Sequence, residues 1–289
     1  MNEYVITTDN TCDMPEEFYE EHQIPYVSLN CIMNGVTYNK ENRIDLHEFY
    51  EQMRSGTMPT TSQANAEEMK DCWRPYAERG MDILHLAFSS GLSGSCNSAG
   101  IAAEELMEEY PGIRIRVIDS LCASMGEGLL LHYAVKQKEE GKTMEEVAEF
   151  LEETRLHLCH VFTVDDLFHL HRGGRVSKLS AIVGTMVGIK PMLHVDNEGH
   201  LILLSKARGR KRALNELVRM MEERIGSYRD KNTTIFISHG DCEEDARTVG
   251  ELVREKYGIQ DIRYHMVGAT IGAHSGPGTV ALFFLGDRR

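Results

Sequence analysis

The 289-residue chain lacks the long apolar runs of a membrane protein. None of its hydrophobic stretches approaches the roughly 18 residues that a membrane-spanning helix needs. Its first residues, MNEYVITTDN, also lack the basic segment followed by an apolar one that marks a secretion signal. Internal repeats, low-complexity tracts and long linkers are missing too. We therefore expect a cytoplasmic globular protein without stable membrane insertion.

Cysteine pairs are absent as well. The seven cysteines are odd in number and widely spaced, and no C-x-x-C pair occurs among them. Without a secretion signal, these residues are expected to be reduced thiols that pack as small apolar groups. The segment VDDLFHLHRGGRVS carries His169 and His171, but its spacings fit no zinc pattern. We expect no metal and no cofactor.

Positive charge is scarce. The chain has 31 Lys and Arg against 45 Asp and Glu, which gives a formal net charge of -14 and disfavours nucleic acid as a partner. The exception is the run SKARGRKRA, which contains five basic residues: Lys206, Arg208, Arg210, Lys211 and Arg212. A basic patch on an acidic protein suggests docking to an acidic protein surface. RNA binding by this run is an alternative, although it lacks interleaved aromatic residues that stack on bases.

The order of the predicted elements indicates two domains. Strands alternate with helices over residues 1–155, which predicts an α/β domain with a mainly parallel sheet flanked by helices. Hairpins join the pattern after about residue 155, so residues 156–289 are expected to form a second, α+β domain with a mixed sheet. The last strand, at about 279–286, is a candidate for a return to the first domain. Asp13, Asp45, Thr143 and Asp241 are predicted to cap helices.

The stretch AFSSGLSGSCNSAG contains the most informative turn of the chain. A predicted strand ends in small residues, and a helix follows at Ser95. Strand, tight turn and helix together place backbone N–H groups and a positive dipole end near Ser93, Gly94 and Ser95, which can bind an anion. The plain structural alternative is a serine that only caps the helix.

A catalytic alternative also arises at this turn. The letters GLSGS come within one residue of the nucleophile-elbow pattern G-x-S-x-G, with Ser95 where glycine is required. A serine hydrolase would use Ser93 as nucleophile, His274 as base, and Asp9 or Asp119 as the orienting acid.

Three further segments are candidates for the same site. PTTSQAN offers hydroxyls such as Thr61 just before a helix, and GAHSGPGT places His274 inside a predicted glycine loop. Arg172, beside Gly173-Gly174, is suited to anchoring an anion or the chain turn. The apolar stretch SAIVGTMVGIKPML would suit a pocket wall, and its candidate residues are Ile182, Val183, Met186 and Ile189.

Together these motifs resemble one family. TTSQ before a helix, SSGLSGSCNSA, VDDLFHLHRGGRVS, GIKPML and GAHSGPGTVALFFLG are similar to the DegV family, whose members include the fatty-acid-binding subunits of bacterial fatty acid kinase. TTDNTCDMP resembles the opening motif of that family. The resemblance spans nearly the whole chain and implies a two-domain DegV-like fold with a fatty acid in a buried apolar tunnel.

The resemblance also implies a division of labour. In that family the loop matching Thr61 and the turn matching Ser93–Ser95 hold the acyl carboxylate, and the histidine matching His274 lies nearby. The family protein is not a catalyst alone, because it presents the carboxylate to a separate ATP-dependent kinase that makes acyl phosphate for phospholipid metabolism. Residues that would face that kinase are Arg208, Arg210, Lys211 and Arg212.

Overall fold

The computed structural model describes residues 3–165, 167–176 and 188–289. The strands are β1 (Tyr4–Asp9), β2 (Tyr26–Val27), β3 (Asn30–Met33), β4 (Val36–Tyr38), β5 (Thr60–Ser62), β6 (Asp82–Ala87), β7 (Ile115–Asp119), β8 (Leu158–Thr163), β9 (Ile189–Val195), β10 (Leu201–Arg208), β11 (Thr234–His239), β12 (Asp261–Met266) and β13 (Val280–Leu285). The α-helices are α1 (Glu16–Glu21), α2 (Leu46–Arg54), α3 (Ala66–Ala77), α4 (Ser95–Glu109), α5 (Met125–Glu139), α6 (Met144–Thr154), α7 (Phe168–Arg172), α8 (Arg210–Ile225), α9 (Glu243–Tyr257) and α10 (Ala269–Ser275).

The first half of the chain forms a parallel sheet in the order β2-β1-β6-β7. Successive side chains of a strand point to opposite faces, and here both faces are buried. Ile83 joins the core that contains Trp73 of α3 and Leu106 of α4. Its neighbour Leu84 joins a second core that contains Leu130 of α5. The predicted parallel sheet between two helical layers is confirmed.

The second half forms a six-stranded sheet in the order β10-β9-β8-β13-β11-β12. Among the described residues of this sheet, β11 and β12 pair in parallel and the other neighbours pair antiparallel, so the predicted mixed sheet is also confirmed. α8 and α9 cover one face, where Leu217 and Val249 pack with Ile237. On the other face, Phe162 and Phe283 belong to the same core as α5. The two sheets therefore share one apolar core.

The last strand does not return to the parallel sheet. β13 lies between β8 and β11 and pairs with both, with Phe283 opposite His160 and Phe236. Its six residues are all buried, as a central strand requires. The proposed return of residues 279–286 is therefore wrong, whereas the boundary between 155 and 156 stays a prediction.

Two predicted loops contain short regular elements. The segment with Thr61 includes β5, which pairs with β3 in a small antiparallel sheet so that Thr61 lies opposite Cys31. His274 lies on α10 rather than inside a glycine loop, because the tight turn starts only after the helix, at Gly276 with φ +79°. Both elements are too short for a clear hydrophobic period.

Two of the four predicted caps are confirmed, and at the start of α2 the carboxylate of Asp45 accepts the backbone N–H of Glu48 at 2.9 Å. Thr143 and Glu146 form a reciprocal capping box at the start of α6. Asp13 and Asp241 are not N-caps, because their φ angles of +49° and +56° place them in the left-handed region, whereas an N-cap has an extended backbone. Their carboxylates instead bind partners that are distant in sequence, which a local motif does not predict.

Candidate functional site

A cavity of about 260 Å³ lies between the two large sheets and along α10. Most of its wall is apolar, as expected where two sheets share a core. The apolar lining residues are Leu29, Phe88, Leu92, Ala123, Phe162, Leu170, Val195, Leu201, Val267, Ile271, Ala281 and Phe283. Several polar side chains also reach the cavity, and one group of them comes from β5 with the residue after it, from the turn before α4 and from the end of α10: Thr61, Ser62, Gln63, Ser93, His274 and Ser275.

The central pair of this group is Thr61 and His274. Strand β5 and helix α10 bring Oγ1 of Thr61 to 2.8 Å from Nε2 of His274. Burial lowers the pKa of His274 to about 4, and the nearby positive charges of Arg175 and Arg172 add to the effect. The imidazole is therefore neutral at pH 7. If its Nε2–H donates to Thr61, the threonine hydroxyl is available to donate to an anion in the cavity.

Arg172 connects the two elements that carry this pair. Its Nη2 donates to the carbonyl of Pro59 at 2.8 Å and to that of Ala273 at 3.2 Å. It thus ties the chain just before β5 to the residue before His274. The cavity wall does not include Arg172. The structure therefore places Arg172 as a link between loop and helix, next to the anion candidates rather than among them.

Arg175 is the arginine that lines the cavity. Its Nε donates to the carbonyl of Leu92 at 3.2 Å, and its Nη1 donates to the carbonyl of Gly173. Burial lowers the pKa of this guanidinium, and within the described ranges no carboxylate forms an ion pair with it. A cation in this setting attracts an anionic ligand. The sequence carries a signal for Arg175, which follows the double glycine, but the same signal applies to Arg172, which precedes it.

The turn before α4 contributes Ser93 and Gly94 to the cavity. Oγ of Ser93 lies 3.0 Å from Oγ of Ser95 and accepts the backbone N–H of Ser95 at 3.2 Å. Ser95 is fully buried and does not line the cavity, so it orients Ser93 rather than facing a ligand.

Gln63 is a cavity residue that the sequence reading missed. A Cβ built on Gly94 would overlap its amide oxygen, so glycine at this turn allows Gln63 to approach. Its Nε2 donates to Oγ of Ser98 at 3.3 Å. Gln63 stands in the quoted TTSQ segment, so its proximity to Thr61 was the available signal.

The geometry of a serine hydrolase is not present around Ser93. In the part of the chain that the structure describes, no imidazole is hydrogen-bonded to Ser93, and His274 contacts Thr61 instead. Asp9 and Asp119 accept backbone N–H groups, and neither is bonded to His274. The oriented Ser–His–Asp constellation that the hydrolase alternative requires is therefore not formed.

The remaining candidates fall into two groups. Ile189 lies in β9 and does not line the cavity. The other apolar candidates lie outside the described residues: Ile182, Val183 and Met186. Among the basic candidates, Arg210 is partly buried and pairs with Asp245 at 2.7 Å and Asp165 at 3.5 Å. The exposed ones are Arg208, Lys211 and Arg212.

The described ranges, 3–165, 167–176 and 188–289, contain no group of three or more His, Cys, Asp or Glu residues arranged to hold a metal ion. Nor does any helix in them combine the length and the apolar character needed to cross a bilayer.

Comparison with known proteins identifies relatives over the whole chain. The family model described as "Uncharacterised protein, DegV family" matches residues 3–287. The DegV domain-containing protein CPE0026 of Clostridium perfringens is 43% identical over 291 residues, which cover 100% of this chain and 99% of the relative.

Solved structures agree with this match. A DegV family protein from Thermus thermophilus, described by its fatty acid binding, is 29% identical with a TM-score of 0.87 over 99% of this chain and 100% of that one. DegV from Bacillus subtilis, described as a fatty acid binding protein, is 28% identical with a TM-score of 0.82 over the same shares. This chain belongs to the DegV family.

Proposed function

We propose that the cavity binds one long-chain fatty acid, with its carboxylate at Thr61, Ser93 and His274. The observation that carries the proposal is the Thr61–His274 pair, which places a hydroxyl donor beside a neutral imidazole at a cavity with a mostly apolar wall. Burial of an acyl chain contributes about 0.8 kcal/mol per methylene, so a long chain needs a deep apolar site. The carboxylate then needs hydrogen-bond donors, which the hydroxyls of Thr61 and Ser93 provide.

The charge of the site also favours an anion. Arg175 lines the cavity without a carboxylate partner in the described ranges, and the N-terminus of α4 begins beside Ser93. Two solved relatives are described as fatty-acid-binding proteins, which supports the same ligand class for this chain.

The same proposal assigns the chemistry to a partner. The protein would present the carboxylate, in the cytoplasm, to a separate ATP-dependent kinase that forms acyl phosphate, and it would not be a catalyst alone. Phosphoryl transfer depends mainly on positioning and charge neutralisation, which a kinase with its magnesium supplies. Arg208, Lys211 and Arg212 are exposed on an acidic protein and offer a docking surface for that kinase.

Extraction of the purified protein tests the ligand. Mass spectrometry of the extract is expected to find a long-chain fatty acid in about equal molar amount, and the delipidated protein is expected to bind added fatty acid again. The proposal fails if the extract holds no lipid and the delipidated protein binds none. A reconstituted assay with a bacterial fatty acid kinase then tests presentation, since acyl phosphate should form only when both proteins are present.

A further inference from the structure

Helix α10 connects two polar clusters at the cavity. Its last turn carries His274, which contacts Thr61. At its other end, the backbone N–H of Gly268 donates to Oδ1 of Asp13 at 3.0 Å. Seven helical residues span about 10 Å. A displacement of the start of α10, next to Asp13, is therefore expected to move the imidazole of His274 in its last turn.

Asp13 also holds the opposite wall of the cavity. The hydroxyl of Ser124, a lining residue at the start of α5, donates to Oδ2 of Asp13 at 2.6 Å. Oγ of Ser124 lies 3.0 Å from that of Ser238, a second lining residue on β11. One carboxylate thus connects α10 to the cavity wall formed by α5 and β11.

The charge of an ionised Asp13 is stabilised mainly by its hydrogen bonds from Ser124 and Gly268. Its side chain is buried, and no cation forms an ion pair with it within residues 3–165, 167–176 and 188–289. The titratable groups that face it are Tyr19 of α1, Tyr50 of α2 and Glu127 of α5, while the imidazole of His265 on β12 hydrogen-bonds its backbone. None of these groups supplies a positive charge to an ionised Asp13.

We propose that Asp13 is a positioning residue that fixes α10 against the cavity wall and thereby sets the Thr61–His274 pair for its ligand. The part of this proposal that concerns affinity rests on the proposed fatty acid site. Other contacts hold the same end of α10, since Tyr50 donates to the carbonyl of Val267 at 2.8 Å and Thr270 to that of Leu29 at 3.0 Å. Loss of the Asp13 contacts is therefore expected to loosen the helix without releasing it.

The position of Asp13 makes this link sensitive to pH. Burial raises the pKa of its carboxyl to about 7, although the bonds from Ser124 and Gly268 oppose the shift. An ionised carboxylate accepts both bonds strongly, whereas a protonated one has a proton on one of its two oxygens. The link is therefore strong above about pH 7 and weakens as the pH falls below that value.

Amide hydrogen exchange of the lipid-free protein tests the link without a ligand. The reporters are the amides of Gly272 and Gly276, which close α10 by bonding to Gly268 and Gly272. Asp13→Asn should raise their exchange about tenfold at pH 8, and wild type should show the same rise from pH 8 to pH 6 after correction for intrinsic exchange. Equal protection in the folded variant and wild type would overturn the proposal.

The matched control is Glu127→Gln, which changes a neighbouring buried carboxyl. Glu127 accepts hydrogen bonds from Thr8 and Thr11, which do not line the cavity, and burial raises its pKa well above its ordinary value. This control should leave α10 exchange and its pH dependence unchanged. If Asp13→Asn does not fold, Ser124→Ala removes one of the two bonds and should produce a smaller rise at the same amides.

A titration with the fluorescent fatty acid cis-parinaric acid tests the effect on the site. From pH 8 to pH 6, wild-type affinity should fall about tenfold more than that of Asp13→Asn, which resembles the protonated state throughout. Parallel pH profiles of the two proteins contradict the positioning role. If wild type binds no fatty acid, the proposed function fails, and the exchange result still decides whether Asp13 fixes α10.

Discussion

Thr61→Val is the sharpest perturbation of the proposed carboxylate site. Valine has nearly the shape of threonine and is at least as favourable in a strand, so β5 should persist. The change removes the Oγ1 that lies 2.8 Å from Nε2 of His274. It thereby removes one donor to the ligand and leaves a buried imidazole nitrogen without its partner.

The expected size of the effect follows from the charge of the lost contact. A hydrogen bond to a charged group contributes about 1.5–3 kcal/mol, which corresponds to roughly a 10- to 150-fold loss of fatty acid affinity. The lipid-free protein should lose only about 1 kcal/mol of unfolding free energy, because the Thr61–His274 bond joins two neutral groups.

The assay is titration of delipidated protein with cis-parinaric acid at pH 8. The matched control is Thr60→Val, which makes the same change at an exposed neighbour on β5 that does not line the cavity. The control should bind like wild type. If Thr61→Val also binds like wild type, the carboxylate does not contact Thr61 and the assignment of the site is wrong.

Three further outcomes are expected. Gly173→Ala should weaken fatty acid binding at least tenfold, because a Cβ at this position would overlap Nδ1 of His274. The control Gly100→Ala should bind normally, because a Cβ at that position meets no atom within 4 Å. In denaturant titrations, the unfolding free energy of wild type minus that of His274→Asn should fall by about 2 to 3 kcal/mol from pH 7 to pH 4. The reason is that the imidazole takes up a proton near pH 6.5 in the unfolded chain but only near pH 4 in the folded protein. A difference that stays constant with pH would contradict the buried neutral imidazole. Lys211→Glu with Arg212→Glu should slow acyl phosphate formation with the kinase while fatty acid affinity stays unchanged, and normal turnover would place the docking surface elsewhere.

Most of the fold could be predicted from the sequence because the patterns that indicate its strands and helices are local. Strands that alternate with capped helices predict the parallel sheet, and the box of Thr143 and Glu146 forms as expected. The failures are residues whose partners are distant in sequence. Asp13 resembles a helix cap but bonds to Ser124 and Gly268, and such pairings have no local pattern.

The individual residues of the candidate site could be predicted from local motifs, but their arrangement around the cavity depends on contacts that are distant in sequence. Thr61, Ser93 and His274 stand in separate motifs; the family resemblance implies that they share a site, and the fold places all three at one cavity. Arg172 and Arg175 flank one double glycine, so the sequence alone does not show which of them faces the cavity. The structure separates them, because Arg172 donates to carbonyls of the chain and Arg175 lines the wall.

A crystal structure with a bound long-chain fatty acid would show where the carboxylate binds. We expect the carboxylate oxygens within hydrogen-bond distance of Oγ1 of Thr61 and Oγ of Ser93, with the acyl chain among the apolar lining residues. A carboxylate bound instead at Ser124 and Ser238, the other polar cluster of the cavity, would contradict the proposed site, as would a fatty acid bound outside the cavity.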